Sequence, residues 1–299
     1  MTKRCFGWVR DLPDFRDYGV STEAASAKKP SINSMLLKLG AVSPIGAASR
    51  VTLPATTDLR QFCSPIEDQG EIGSCTAHAA IGILEYFERK AFGKHIDGSR
   101  LFLYKTTRNL MQVTGDTGAY LRSVMGALTL FGVPPESYYP YDITLFDEEP
   151  SAFLYSFAQN FQTLSYYRLD TPGISNSVLL TQIKTNLSKG LPVMFGFTVF
   201  SSYLQAGSNG GHLPFPTRNE SSLGGHAVSV MGYDDNKKIT NSIIGGTQTT
   251  GALLIRNSWG TSWGQSGYGW LPYQYVLSGL TSDWWSLIKA EWVDSGQFS

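Results

Sequence analysis

A cysteine in a glycine-rich turn is the first residue of this chain that could do covalent chemistry. Cys75 ends the stretch Gln-Gly-Glu-Ile-Gly-Ser-Cys, and an apolar-periodic run follows, so the pattern predicts a helix that begins at this cysteine. Unpaired backbone N–H groups and the helix dipole favour the thiolate at such a position, and the thiolate is the nucleophile. Gln69 lies six residues upstream and could donate an amide N–H to an oxyanion. The alternative is that a small buried cysteine only fills the core.

The base for such a nucleophile must come from elsewhere, and the chain contains four histidines. His226 is the best candidate because it follows two glycines and begins the apolar run Ala-Val-Ser-Val-Met-Gly-Tyr, which predicts a rigid position at a strand start. We expect His78 to be structural and His95 to be exposed in a polar turn. His212 lies in a glycine-rich loop, where a catalytic role is also unexpected.

An imidazole base needs a third group that fixes its tautomer and ring orientation. Asn257 ends the run Leu-Leu-Ile-Arg and precedes Ser-Trp-Gly-Thr-Ser-Trp-Gly, and its neutral amide suits a thiolate–imidazolium pair. Trp259 and Trp263 could cover the His–Asn hydrogen bond and exclude water. The alternative, which the sequence leaves open, is that Asn-Ser-Trp-Gly is only a turn with core tryptophans.

The elements that must position these residues change character along the chain. Helical periodicity is predicted from Cys75 to about Lys90, from Ser99 to Met111, over 119–131 and again over 176–189. Short β-type runs then dominate, at 193–200, 227–233, 253–256, 268–271 and 284–292. The order predicts an α+β fold with a helical lobe, a β-rich lobe and a cleft between them. We expect a leader at 1–52, the helical lobe at 53–160 and the β-rich lobe at 161–299.

Composition excludes several other classes of protein. Lys plus Arg and Asp plus Glu are both 24, so no basic surplus indicates a nucleic-acid or anionic-membrane partner. No apolar run is long enough to span a membrane, and no apolar signal core follows the first four residues. Either the protein is not exported by a signal peptide, or the given chain starts after a signal peptide that has been removed. No spacing typical of a metal site or of a nucleotide-binding glycine loop occurs, so no cofactor is expected.

The segments around Gln69, Cys75, His226 and Asn257 together resemble the papain family of cysteine peptidases. The motifs that support this resemblance are Gly-Ser-Cys after the glutamine, Gly-His-Ala-Val and Arg-Asn-Ser-Trp-Gly. They occur in the family's order and with its Gln-to-Cys spacing. The similarity spans about residues 53 to 293. It implies a two-lobe papain-like fold and an endopeptidase that acts on peptide or protein substrates through a thioester.

The resemblance also implies individual roles. Cys75 would be the nucleophile, His226 its base, Asn257 the orienting residue and Gln69 an oxyanion donor. Substrate binding would fall to a further set of residues: Gly118, Tyr120, Gly225, Trp259 and Trp263. Thiol acyl transfer with the same cysteine and histidine is an alternative, although such enzymes typically use Asp as the third member. A catalytically silent binding module of the same fold is another.

This chain departs from the family pattern at the nucleophile and before it. Thr76 replaces the usual tryptophan after the cysteine, and Ile72 replaces the usual disulfide cysteine. The motifs look more like those of bacterial members. The leader is short, but Ile32, Met35, Leu36 and Leu39 form one helical stripe, and a small-residue linker follows at 41–50.

We hypothesise that the leader covers the cleft of a latent precursor, the alternative being a permanent extension packed on the helical lobe. Whether Cys5 and Cys63 form a disulfide stays open. We expect a monomer that acts outside the cytoplasm, by the habit of the family.

Overall fold

The computed structural model describes residues 5–14, 17–21, 31–42, 52–161 and 165–289. The predicted linker at 41–50 and the end of the predicted strand at 284–292 therefore lie largely or partly outside the described residues. The helices and strands within the described ranges form a mixed structure with an antiparallel sheet, and this agrees with the predicted α+β class.

Seven α-helices occur in the described part of the chain. Their bounds are α1 Ile32–Lys38, α2 Cys75–Phe92, α3 Arg100–Leu110, α4 Leu121–Leu130, α5 Ala152–Ala158, α6 Asn176–Ser188 and α7 Tyr273–Leu277. Ser99 begins α3 with its hydroxyl accepting from the Phe102 N–H at 3.2 Å, which satisfies one of the free N–H groups of the first turn. Gly93 ends α2 in the left-handed region, with φ of 73°.

Helix α2 is the central helix of the molecule. Its residues from Cys75 to Phe87 are all buried, and it packs against α3, α4 and strands of the sheet. A helix that is apolar or small on every face must lie inside the fold, since no face can be left to water. Neighbouring elements therefore surround the start of α2, which includes Cys75.

The sheet contains seven strands in the described residues, all paired antiparallel. They are β1 Thr56–Asp58, β2 Ser165–Arg168, β3 Val193–Phe200, β4 Ser222–Thr240, β5 Gln248–Arg256, β6 Tyr268–Pro272 and β7 Thr281–Ile288. The order is β2-β7-β3-β4-β5-β6, and β1 pairs with β4. Strands β3, β4 and β7 pack against α2, and β4 makes the most extensive contact with it.

The predicted elements differ from the observed ones mainly at their ends. The third helix was predicted to begin at Ala119, but it begins at Leu121, because Ala119 and Tyr120 are extended and Ala119 pairs with another part of the chain. The polar region 235–250 between the predicted strands at 227–233 and 253–256 is partly strand, because β4 and β5 pair as far as Thr240 and Gln248. No helix among the described residues is long and apolar enough to cross a membrane.

The predicted apolar stripe of the N-terminal region is buried. Helix α1 begins after Ser31, whose hydroxyl accepts from the Ser34 N–H at 3.0 Å. Ile32, Met35, Leu36 and Leu39 are each at most 7% exposed and belong to the main hydrophobic core. An amphipathic helix of two turns gains its stability from such packing rather than from its own hydrogen bonds.

Candidate active site

Cys75 is the first residue of α2 and its thiol is completely buried. Backbone N–H groups of Ala227, Gly7 and Thr76 lie against the sulfur. They favour the thiolate, as the helix start does, but burial opposes it and raises the pKa of the Cys75 thiol to about 11. The sequence predicts a thiolate at Cys75. In the buried site the neutral thiol is favoured instead, because desolvation outweighs the effect of the backbone donors.

Gln69 is held beside the nucleophile by the loop that precedes α2. Its backbone N–H donates to the Ser258 carbonyl at 2.8 Å, and its Oε1 accepts from the Ser258 hydroxyl at 2.6 Å. The amide N–H₂ is thereby turned the other way, donating to the Ile72 carbonyl at 2.9 Å and to the Cys5 carbonyl at 3.3 Å. The side chain thus presents a donor to a backbone carbonyl, as an oxyanion donor must.

His226 lies on β4, Asn257 directly follows the neighbouring strand β5, and the two side chains are joined by a hydrogen bond. His226 Nε2 lies 2.8 Å from Asn257 Oδ1, which also accepts the Ser258 N–H at 2.8 Å. Because an amide oxygen only accepts, Nε2 carries the proton and Nδ1 holds a lone pair. Nδ1 has no hydrogen-bond partner among the described residues. Burial lowers the pKa of His226 to about 4, although the bond to Asn257 opposes this shift.

The two predicted tryptophans lie over this pair. The Trp259 ring stacks on the His226 ring with centroids 4.8 Å apart, and Trp263 meets Trp259 edge-on at 5.9 Å. Both side chains are buried. Tyr203, which the sequence did not single out, meets Trp259 edge-on at 5.1 Å and lies 3.5 Å from Asn257 Nδ2 through its hydroxyl. These rings keep water from the His226–Asn257 bond.

The remaining residues predicted to bind substrate are Gly225, Tyr120 and Gly118, and their surroundings differ. Gly225 presents its carbonyl, which accepts the Trp8 N–H at 3.0 Å, and Tyr120 precedes α4 and is half-buried. Gly118 donates its own N–H to the Tyr104 hydroxyl at 3.1 Å. The backbone that pairs with an extended segment in the cleft belongs instead to Ala119, which sequence reasoning missed because a small residue before a helix carries no chemical signal.

That extended segment comes from the N-terminal region. The Ala119 N–H donates to the Gly7 carbonyl at 2.8 Å, and the Val9 N–H donates to the Ala119 carbonyl at 3.1 Å, which makes a parallel bridge at Trp8. Gly7 lies so close to Gly73 that a Cβ on it would be 1.8 Å from the Gly73 carbonyl oxygen. Phe6 lies 6.1 Å from the His226 ring. Residues 5–9 thus lie directly on the site, between Cys75 and solvent.

Ion pairs hold the continuation of this segment. Arg122 on α4 pairs with Asp11 and with Asp17, the latter at 2.7 Å, and Arg168 at the end of β2 pairs with Asp17 at 3.3 Å. Arg168 is fully buried. The arginines that pair with Asp11 and Asp17 are more than a hundred residues away, and no local sequence pattern marks these contacts.

The other histidines and cysteines lie outside the catalytic arrangement. His78 is buried one turn along α2, with Nδ1 3.2 Å from the Ser74 carbonyl, and burial lowers its pKa to about 3. His95, expected to be exposed, is half-buried, as is His212. Cys5, Cys63 and Cys75 form no disulfide among the described residues. Among the described residues, no group of three or more His, Cys, Asp and Glu side chains could hold a metal ion.

Comparison with known proteins adds an independent line of evidence. The family model for the papain family of cysteine proteases matches residues 53–283. An uncharacterized peptidase C1-like protein of Acanthamoeba polyphaga mimivirus is 32% identical over 295 residues, covering 94% of this chain and 86% of that protein. The crystal structure of xylellain, a cysteine protease from Xylella fastidiosa, has a TM-score of 0.70 at 29% identity, covering 96% and 97% of the two chains. Procathepsin L 3 of Tenebrio molitor, at 20% identity and a TM-score of 0.60, shares the fold.

Proposed function

The chain belongs to the papain family of cysteine proteases and is a papain-like cysteine peptidase, and from this premise we propose that Cys75, His226 and Asn257 carry out peptide-bond hydrolysis. The observation that supports this assignment most directly is the 2.8 Å contact between His226 Nε2 and Asn257 Oδ1, stacked under Trp259. It leaves the Nδ1 lone pair as the base. The assignment is also supported by the Ala227 N–H, which lies against the Cys75 sulfur and belongs to the residue after His226 on β4.

The proposed reaction follows from this arrangement. Nδ1 of His226 takes the thiol proton, and the Cys75 sulfur attacks the substrate carbonyl carbon. The Gln69 amide and the Cys75 backbone N–H donate to the developing oxyanion, and one such donor contributes about 10²–10³ in rate. The imidazolium then returns its proton to the leaving amine, and water hydrolyses the thioester. Asn257 fixes the ring tautomer that leaves Nδ1 unprotonated and able to act as the base.

Thiol labelling tests the assignment of the nucleophile. We expect an epoxide inhibitor to modify Cys75 faster than Cys5 and Cys63 once the cleft is open, with peptidase activity lost in step. A Cys63→Ser chain is the matched control and should keep its activity and its labelling, whereas Cys75→Ser should lose both. Modification of Cys5 or Cys63 at the same rate as Cys75 would contradict the assignment.

We further propose that residues 1–52 are a leader that keeps the peptidase latent, with residues 53–160 and 161–299 forming the two lobes. The contacts of residues 5–9 support this role, because they use the groups that a substrate would need: the Gln69 amide, the Ala119 backbone and the Gly225 carbonyl. The segment also excludes water from Cys75. Such a leader suits a monomer that becomes active only after export from the cytoplasm, and finding the uncut chain in the cytoplasmic fraction as the active form would contradict this.

Limited proteolysis tests latency. We expect little activity in the intact chain and a large rise after a cut between residues 42 and 52, followed by separation of the leader. Mass spectrometry identifies the cut, and a chain carrying Cys75→Ser, cut by an added protease, controls for activity of that protease. Equal activity of intact and cut chains would contradict latency while leaving the assignment of Cys75 untouched.

A further inference from the structure

The Gln69 side-chain amide is oriented by one peptide group of its own loop. The amide nitrogen donates to the Ile72 carbonyl at 2.9 Å and lies 3.3 Å from the Cys5 carbonyl of the segment on the cleft. A primary amide is planar and carries two N–H groups, so a hydrogen bond that fixes one of them also sets the direction of the other. The Ile72 carbonyl therefore determines where the N–H that faces the cleft points.

A carboxylate holds the other end of that peptide group. The Gly73 N–H lies in the same peptide plane as the Ile72 carbonyl, and it donates to Asp116 Oδ1 at 2.8 Å. A negatively charged acceptor on the N–H increases the negative charge on the carbonyl oxygen of the same peptide, because hydrogen bonds in a chain polarise one another. Asp116 thus makes the Ile72 carbonyl a stronger acceptor for the Gln69 amide.

Tyr104 on α3 fixes the position of the Asp116 carboxylate. The Tyr104 hydroxyl donates to the same Oδ1 at 2.5 Å and accepts the Gly118 N–H at 3.1 Å. The Tyr104 side chain is fully buried, and burial together with the bond to Asp116 raises the pKa of its hydroxyl well above the usual value, so it remains a donor. Asp116 itself lies on an exposed loop, but a buried residue of the helical part of the fold determines where its carboxylate lies.

The loop before α2 approaches Asp116 closely because residue 73 is a glycine. A Cβ on Gly73 would lie 3.2 Å from Asp116 Oδ1 and 3.4 Å from Gly118 Cα. Gly73 has no positive φ, so the close approach rather than the backbone conformation explains glycine here. Ile72 replaces the usual disulfide cysteine, so the bond to Asp116 anchors a part of the loop that no disulfide holds among the described residues.

We propose that Asp116 is a positioning residue of the oxyanion site, which holds and polarises the Ile72–Gly73 peptide group and thereby directs the Gln69 amide toward the substrate carbonyl oxygen. This inference rests on the proposed peptidase function and adds a residue to it. Asp116 acts through the loop and touches neither the substrate nor the reacting atoms. Because the oxyanion develops only as the transition state forms, loss of Asp116 should lower kcat and leave KM unchanged.

Steady-state kinetics on one fluorogenic peptide test this role. The full-length chain is folded with its leader and then cut between residues 42 and 52. We expect Asp116→Ala to lower kcat about tenfold, a part of the 10²–10³ that one oxyanion donor contributes. Asp116→Asn keeps a neutral acceptor for both donors and should lose only about threefold. Asp58→Ala is the matched control, because Asp58 is an exposed carboxylate that also accepts a backbone N–H, that of Arg60 at 3.0 Å, and it should change neither constant.

A double-mutant cycle separates this role from a merely structural one. Gln69→Ala removes the oxyanion donor, so Asp116→Ala should have no further effect on kcat in that background. Iodoacetamide alkylates Cys75 without forming an oxyanion, so the alkylation rate should be the same in wild type and in Asp116→Ala. Additive effects of the two substitutions on kcat, or equal slowing of alkylation and hydrolysis, would overturn the inference.

NMR of the Gln69 amide gives a readout that needs no activity. In the uncut chain its side-chain proton signals should move upfield in Asp116→Ala, because the Ile72 carbonyl becomes a weaker acceptor, and they should stay unchanged in Asp58→Ala. Unchanged Gln69 signals in Asp116→Ala would overturn the inference whatever the kinetics. Failure of every cut chain to cleave the peptide, wild type included, would instead count against the proposed peptidase function.

Discussion

The catalytic centre and the N-terminal segment that lies on it are held by different forces. His226 and Asn257 are joined by one buried hydrogen bond, and aromatic rings, among them Trp259 and Tyr203, pack against the pair. Residues 5–14 and 17–19, the N-terminal segment, are held by backbone hydrogen bonds and by ion pairs to Arg122 and Arg168. Packed rings are insensitive to salt, whereas ion pairs at a partly exposed arginine are screened by it. Added salt should therefore weaken the hold on the N-terminal segment and leave the His226–Asn257 arrangement unchanged.

The N-terminal segment also changes the electrostatics of the catalytic centre. With the segment in place, burial raises the pKa of Cys75 and lowers that of His226, so the neutral thiol and neutral imidazole are the favoured forms. Entry of water would bring the two pKa values back toward their usual range and permit the thiolate–imidazolium pair. Latency in this protein would therefore have an electrostatic component beside the steric one.

Removing the base should have the largest effect. We expect His226→Ala to lower kcat/KM of the cut chain by about 10⁴-fold or more, the scale seen when a base in a catalytic triad is lost. His95→Ala is the matched control, because that half-buried histidine lies in the turn after α2. Kinetics on one fluorogenic peptide, with circular dichroism for folding, measure the effect. Retention of a tenth of the activity by His226→Ala would contradict the assigned role.

Releasing the N-terminal segment from the cleft should have the next largest effect, and this change should raise activity rather than lower it. The Cβ of Gly7→Val would overlap the Gly73 carbonyl, so the segment should leave the cleft and the activity of the uncut chain should rise about a hundredfold, reflecting several lost hydrogen bonds. Gly207→Ala, with no atom within 4 Å of the added methyl, is the control. After cutting, Gly7→Val and wild type should be equally active. An uncut Gly7→Val chain as inactive as wild type would show that the segment does not restrain activity.

The difference between the two regions should also appear in the histidine titrations. NMR should give His226 a pKa of about 4 in the intact chain and a value at least one unit higher in Gly7→Val, because water then reaches the ring. His78, buried away from the segment, should stay near 3 in both chains. The pKa of His226 is lower when the N-terminal segment lies in the cleft than when it has left. Acidification from about pH 6.5 toward 4 should therefore favour the form in which the segment has left the cleft. Equal His226 values in the two chains would contradict this coupling.

Weakening the ion pairs should have the smallest effect. Arg122 is 24% exposed, so its pairs with Asp11 and Asp17 are partly screened, and Arg122→Ala should raise the activity of the uncut chain about three- to tenfold. Arg60→Ala, which removes an exposed pair with Asp58 on the far side of β1, should change nothing. Activity of the uncut wild type should rise with added salt, and that salt dependence should be reduced in Arg122→Ala. Equal activity of the uncut Arg122→Ala and Arg60→Ala chains would indicate that backbone contacts alone hold the N-terminal segment.

Residues that carry both a reactive group and a local motif were recognisable before the fold was known. Cys75 was predicted at a helix start and begins α2, and His226 and Asn257 were predicted on β-type runs and lie on β4 and just after β5. Residues whose role lies in their backbone or in a distant partner were not. Ala119 acts through its N–H and carbonyl, and Asp116 and Arg168 meet groups from distant parts of the chain. No periodicity records such contacts.

The sequence by itself determined the family, the α+β class and the residues able to do the chemistry, because nucleophile, base and orienting amide each require a specific side chain in a specific local setting. It also located an apolar stripe in the N-terminal region that had to be buried. Only the tertiary structure decided that Asp116 holds the peptide group to which the Gln69 amide donates, and that burial keeps Cys75 and His226 neutral. Those properties depend on desolvation and on contacts between distant segments, which exist only once the chain has folded.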